Sequence, residues 1–170
     1  MINLLEPFNY IKTFIFDIDG VFTDSRVTIF EDGSLIRVMN IKDGYAVKQA
    51  LKAGFRLIVI TGGNSQGVVT RLKGLGITDV YWGISDKMAI YEELIRKYNL
   101  DESQILYMGD DLPDYQVMRR VGLPVCPVDA ATEIIQISQY ISPLAGGAGC
   151  VRDVIEKTLR IQGQWPLFEE

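Results

Sequence analysis

Among the 170 residues of this chain there is no histidine. That excludes a Ser-His-Asp triad, phosphohistidine chemistry and histidine-ligated zinc. Cysteine is nearly as scarce. Cys126 and Cys150 follow no motif spacing, and Thr132 and Glu156 stand six positions after them, where a cysteine phosphatase would need arginine. They read as buried, reduced thiols of a cytoplasmic protein. Basic runs are missing too, and the net charge is −5, which argues against nucleic acid as a partner. No apolar run approaches the length of a membrane span, and Met1 to Asn9 lacks the basic-then-apolar pattern of a signal peptide, so no membrane partner is expected. What remains for chemistry is carboxylate, lysine, hydroxyl and a hard metal ion.

What is present is a strand–helix alternation. Residues 12–16, 56–60, 79–82, 104–108 and 123–126 read as short buried strands. Residues 44–53, 65–75, 86–98 and 112–121 carry helical spacing, with Gly54, Gly76 and Gly122 placed as stops. Residues 132–138 and 149–162 read as further helices. This predicts an α/β fold, a doubly wound parallel sheet with helices on both faces, formed by a single domain over 1–170. One segment breaks the rhythm. About residues 25–40 alternate apolar and polar around Glu31-Asp32-Gly33-Ser34, the pattern of a β-hairpin flap following the first strand. The tail, about 162–170, carries Trp165 and Phe168, which suits docking on this chain or on a neighbouring copy.

The chemistry collects at strand ends, where open α/β sheets bind ligands. The first strand delivers Asp17-Ile18-Asp19-Gly20. Alternate strand residues share a face, so the two carboxylates crowd one volume unless a cation or proton separates them. Asp17 is suited to attack phosphorus, and Asp19 to protonate a leaving alcohol and then activate water. The second strand ends in Thr61-Gly62-Gly63, where a hydroxyl and amides can hold phosphate oxygens at a helix N-terminus. Lys87 opens the helix after the third strand and can neutralise developing charge. The fourth strand ends in Gly109-Asp110-Asp111-Leu112-Pro113-Asp114. Asp110, with Asp17 and the backbone carbonyl of Asp19, would complete a Mg²⁺ site, supported by Asp111 and Asp114. Taken singly, Asp-x-Asp-Gly is a turn, Thr-Gly a helix cap, Lys87 a surface lysine and Gly-Asp-Asp another turn. Their order, each at a strand end or opening the helix that follows one, is what argues for a site.

In that order, these motifs resemble the four motifs of the haloacid dehalogenase-like phosphatase superfamily, over about residues 12–153. The resemblance implies a Rossmann-like core, Mg²⁺, a phosphorylated Asp17 and Asp19 as acid and base. Neither the interval from Asp19 to Thr61 nor that from Thr61 to Lys87 leaves room for a cap domain. Within the superfamily, Thr23-Asp24, the segment Asn40-Ile41-Lys42-Asp43-Gly44-Tyr45, Lys48, Arg71 and Gly146-Gly147-Ala148-Gly149-Cys150-Val151-Arg152-Asp153 resemble the small capless 3-deoxy-D-manno-octulosonate 8-phosphate phosphatases. That resemblance implies a homotetramer of hairpins whose subunits complete one another's sites. It also implies substrate contacts at Asp19, Asn40, Ile41, Lys42, Asp43, Gly44, Lys48, Gly62, Arg71 and Lys87, for a sugar acid phosphate. Arginine is usual in that group at the positions of Gly63, Ala148 and Lys42. These departures leave a nine-carbon sugar acid 9-phosphate open as the substrate. A macromolecular phosphate ester and a non-catalytic regulatory protein of the same fold are the remaining alternatives.

Overall fold

The computed structural model describes residues 5–166. Fourteen regular elements follow a short 3-10 turn at Glu6–Tyr10: β1 (Thr13–Phe16), β2 (Thr28–Ile29), β3 (Leu35–Ile36), α1 (Ile41–Lys52), β4 (Arg56–Ile60), α2 (Gln66–Leu75), β5 (Asp79–Tyr81), α3 (Lys87–Tyr98), β6 (Ile105–Met108), α4 (Tyr115–Met118), β7 (Leu123–Cys126), α5 (Thr132–Ile137), β8 (Tyr140–Ile141) and α6 (Cys150–Ile161). Six strands form one parallel sheet in the order β5-β4-β1-β6-β7-β8.

Strand β1 explains the layering. Its four residues, Thr13-Phe14-Ile15-Phe16, are all buried, as expected of a central parallel strand covered on both faces. Phe14 and Phe16 point to one side, where they stack with ring centroids 6.0 Å apart and join residues of α1, α2 and α6. Ile15 points to the other, among Tyr91 and Leu94 of α3, Val117 of α4 and Ile134 of α5. Each helix lays one apolar stripe on the sheet. From β1 the chain proceeds to β4 and β5 on one side, then returns to β6, β7 and β8 on the other. The carboxyl end of β1 therefore lies at the topological switch point, flanked by the ends of β4 and β6.

The expected strands and helices are present, with three corrections. The segment 112–121 forms a 3-10 turn, Leu112–Asp114, then a single α-turn, Tyr115–Met118, with Asp114 directing its side chain inward onto Lys87. Gly122 does not stop that helix; a Cβ there would overlap the backbone carbonyl of Ser103, so its need is close approach. Helix α1 starts at Ile41, three residues before the expected Gly44, because Asn40 caps it by accepting the Lys42 N–H at 2.9 Å. The edge strand β8 gave no run long enough to see in the sequence.

The hairpin holds only two paired residues on each side, Thr28 with Ile36 and Ile29 with Leu35. Asp32 stabilises its turn by accepting from the Ser34 N–H at 2.9 Å and the Ser34 hydroxyl at 2.7 Å. Neither face is covered: Val27, Ile29, Phe30, Leu35, Ile36 and Val38 are all exposed. No cap domain follows it, since α1 begins a few residues later, and α2 and β5 fill the interval from Thr61 to Lys87. Of the tail, Trp165 packs on its own chain, edge-on to Tyr45 at 6.0 Å with Arg152 over its face at 5.5 Å. Phe168 lies outside the described residues. Among the described residues no helix is long and apolar enough to cross a membrane.

Candidate active site

Asp17 leaves β1 directly into the crevice. Its backbone N–H donates to Met108 O at 3.1 Å, which continues the sheet's pairing with β6 one residue beyond the strand. Its carboxylate is buried; Oδ1 accepts the Ile18 N–H at 2.6 Å and Oδ2 pairs with Lys87 Nζ at 2.8 Å. Lys87 is the first residue of α3, where Asp86 caps the helix by accepting the Ala89 N–H. Only 4% of its side chain is exposed, and Nζ is shared between Asp17 and Asp114 Oδ1, the latter at 2.7 Å. Asp114 is fully buried. Its Oδ1 also accepts the Tyr107 hydroxyl at 2.6 Å, and its Oδ2 the Asp110 N–H at 3.2 Å. Asp17, Lys87, Asp114 and Tyr107 thus form a continuous buried polar chain, with every member paired.

The turn after β1 brings in Asp19 and Asp110. Ile18 O accepts from the N–H groups of Val21, Phe22 and Thr23, which tightens the loop. Gly20 has φ +88°, and a Cβ there would overlap Asp110 Oδ2, so no larger residue fits without displacing that carboxylate. Asp19 points to the cleft mouth with 36% of its side chain exposed, and Arg37 grips both of its oxygens. Asp110 accepts from the Ser25 hydroxyl at 3.4 Å.

The cleft, of about 380 Å³, is lined by Asp17, Asp19, Ser25, Thr61, Gly62, Gly63, Lys87, Asp110 and Asp111 among others. Thr61 is expected at a helix N-terminus. The structure gives that place to Ser65, which caps α2, and leaves Thr61 at the end of β4 with its hydroxyl accepting the Gly63 N–H at 3.2 Å. Asp111 caps the 3-10 turn at Leu112–Asp114.

The electrostatics suit a cation. Burial, reinforced by Asp114, raises Asp17 to about 6 despite the opposing pull of Lys87. Burial, with Asp17, Asp114 and Asp111, raises Asp110 to about 7. Burial alone would lower Lys87, but the two carboxylates outweigh it and the ammonium is held above its ordinary value. Asp17, Asp110 and Asp114 offer oxygens within 4.8 Å of one another. Asp114 is already committed to Lys87, Tyr107 and the Asp110 amide. Asp17 and Asp110 are therefore the carboxylates left to hold a hard divalent ion, whose charge would relieve their mutual repulsion.

The remaining expected contacts are not brought to this cleft within one chain. Ile41, Lys42 and Lys48 are exposed on α1, and Lys42 lines a separate groove with Arg152 and Lys157. Asn40 is committed to capping α1 and donates to Gly147 O at 3.3 Å. Asp43 is fully buried, accepts the Arg152 N–H at 2.8 Å and leaves Oδ2 unpartnered. Gly44 is buried against Leu75 and Arg71. Arg71 opens into a groove beside the cleft. Conversely, Arg37, Tyr107 and Ser25 were not singled out in the sequence. An arginine ending an alternating strand and a tyrosine inside a buried strand carry no motif; only their packing reveals them.

A family profile described as haloacid dehalogenase-like hydrolase matches residues 73–152. The 3-deoxy-D-manno-octulosonate 8-phosphate phosphatase KdsC of Escherichia coli K12 is 36% identical over 154 residues, which cover 91% of this chain and 82% of that protein. A crystal structure of the Yersinia pestis 3-deoxy-D-manno-octulosonate 8-phosphate phosphatase superposes with TM-score 0.92 at 32% identity, covering 95% of this chain and 87% of that one. The Moraxella catarrhalis phosphatase of the same name, in complex with magnesium, phosphate and KDO, superposes with TM-score 0.90 at 31% identity, over 94% of this chain and 92% of that one. With the switch-point crevice, the paired aspartates after β1 and this similarity along nearly the whole chain, the protein belongs to the 3-deoxy-D-manno-octulosonate 8-phosphate phosphatase family of haloacid dehalogenase-like hydrolases.

Proposed function

We propose that this protein is a Mg²⁺-dependent phosphatase that hydrolyses 3-deoxy-D-manno-octulosonate 8-phosphate to the free sugar acid and phosphate. The observation that carries the reading is the buried Asp17–Lys87–Asp114 chain opening on a cleft that also holds Asp19, Thr61 and Asp110. Mg²⁺ would be held by Asp17, Asp110 and the backbone carbonyl of Asp19, and would supply a positive charge facing the phosphoryl oxygens.

The residues divide the reaction as follows. An oxygen of Asp17 attacks phosphorus, and the ester oxygen leaves with a proton from Asp19. Asp19 then takes a proton from water as that water attacks the phosphorylated Asp17, releasing phosphate and restoring the carboxylate. Lys87 keeps Asp17 in place and balances its charge, while Thr61 and Gly62 hold phosphoryl oxygens. Asp114, anchored by Tyr107, fixes Lys87; Asp111 shapes the mouth of the cleft.

Asn40, Ile41, Lys42 and Lys48 lie outside this cleft, so in this reading they would touch substrate held by a neighbouring copy. Arg71 opens into the groove it shares with Arg37, and Asp43 and Gly44 are buried within their own chain and reach no substrate. The uncovered apolar hairpin, with Ile29, Ile36 and Val38, supports a homotetramer built through it. The expected compartment is the cytoplasm, in keeping with the free, buried Cys126 and Cys150.

Phosphate release with Mg²⁺ is measured on the eight-carbon 8-phosphate, on nine-carbon sugar acid 9-phosphates and on neutral sugar phosphates. Highest kcat/KM on the eight-carbon ester supports the reading. Preference for a nine-carbon ester reassigns the substrate, and equal rates across the panel overturn it.

A further inference from the structure

Arg37 follows β3 immediately, on a hairpin otherwise surrounded by solvent, yet only 10% of its side chain is exposed. It turns back over the cleft and clasps Asp19 with two donors, Nε to Oδ1 at 2.7 Å and Nη2 to Oδ2 at 3.3 Å. A guanidinium carries more N–H donors than this clasp uses. The backbone beneath is cleared for it. An ideal Cβ on Gly63 would lie 3.0 Å from Asp19 Oδ2, so a side chain at 63 would crowd the carboxylate that Arg37 clasps, while its 3.7 Å from Arg37 Nη2 is ordinary contact.

Position gives Arg37 a second role. It shares one small cavity with Asp19, Thr61 and Gly63, all of which also line the catalytic cleft. It also lines the adjoining groove, of about 300 Å³, into which Arg71 opens. Arg37 therefore stands where a substrate leaves the phosphate site, at the boundary between the acidic cleft and a groove carrying a second guanidinium.

We propose that Arg37 is a specificity-determining residue: it is seated by Asp19 and gives its remaining N–H donors to the carboxylate of the sugar acid. The inference rests on the substrate class proposed above. An arginine fork matches a planar carboxylate, and a neutral sugar offers no equivalent acceptor. In the free site the ionised Asp19 fixes the guanidinium, so little side-chain entropy is lost on binding; Asp19 takes up the proton it later gives the ester oxygen only once substrate is bound.

The test compares the wild type with Arg37→Ala and Arg37→Lys on 3-deoxy-D-manno-octulosonate 8-phosphate and on glucose 6-phosphate, with kcat and KM measured separately. In Arg37→Ala the ratio of kcat/KM on the acid to that on the neutral ester falls about tenfold or more, mainly through KM, as expected for loss of a charge-assisted hydrogen bond. Arg37→Lys, which keeps the charge but loses the fork, retains part of the ratio. An unchanged ratio in Arg37→Ala, with both substrates declining together in kcat, overturns the proposal and leaves Arg37 as a positioning residue for Asp19. A wild type that shows no preference for the acid defeats the substrate reading itself, and that result is read before any variant is made.

Discussion

Lys87→Met removes the ammonium that separates Asp17 from Asp114, leaving two buried carboxylates facing each other. Lys87 lies 2.8 Å from one and 2.7 Å from the other, and its side chain is almost wholly enclosed. Removing one member of a buried ion pair costs about 3–5 kcal/mol. For a chain of this size each kcal/mol shifts Tm by roughly 2–4 °C, so Tm should fall by roughly 6–20 °C at pH 8 in EDTA. The sign of the pH dependence follows from Asp17. Burial and Asp114 already raise it from 3.8 to about 6 against the pull of Lys87, and without Lys87 it rises further. A carboxyl whose folded pKa lies above its unfolded value is favoured neutral. Its charge imposes no penalty below the unfolded pKa and the full penalty above the folded one. The gap between wild type and variant is therefore widest near pH 8 and narrows toward pH 5. Thermal or urea unfolding at the two pH values measures it. A gap of equal size at both, or one under about 1 kcal/mol at pH 8, would refute the reasoning.

Gly20→Ala should weaken Mg²⁺ binding by about tenfold or more by calorimetry, since the new Cβ displaces Asp110, whereas Gly33→Ala, also at positive φ but with nothing within 4 Å, should cost only backbone strain of about 1–3 kcal/mol and leave Mg²⁺ affinity alone. Tyr107→Phe deletes the hydroxyl that donates to Asp114 and should cost about 1–3 kcal/mol in urea unfolding, less than Lys87→Met because no charge is removed. Ile29→Asp combined with Ile36→Asp should convert a tetramer into smaller species by light scattering; a monomeric wild type would contradict hairpin-mediated assembly.

The sheet and most of the helices could be read from periodicity because central parallel strands are continuous apolar runs and the helices carry single apolar stripes. The strand Arg56–Ile60 and the capped helix beginning at Lys87 are visible in that way. Asp17, Asp19, Lys87 and Asp110 were legible for a different reason. They stand at strand ends or at the start of the following helix, so chain topology alone brings them to one crevice. Arg37 was not, because its contact with Asp19 depends on how a two-residue hairpin turns over the sheet, and nothing local encodes that. Tyr107 was hidden in a strand whose residues all look like core. The segment after Asp111 misled in the opposite direction. Its spacing is helical, but the side chain of Asp114 turns inward to Tyr107 and the Asp110 amide, and the segment forms only short turns.

The chemistry turns on whether Asp17 carries the phosphoryl group. Enzyme mixed with Mg²⁺ and 3-deoxy-D-manno-octulosonate 8-phosphate is quenched in acid within a turnover, digested, and its peptides weighed by mass spectrometry. A phosphoryl increment on Asp17 in the wild type, absent together with turnover in Asp17→Asn, is the expected result. Undiminished turnover in Asp17→Asn, or the phosphoryl group on another residue, would contradict it.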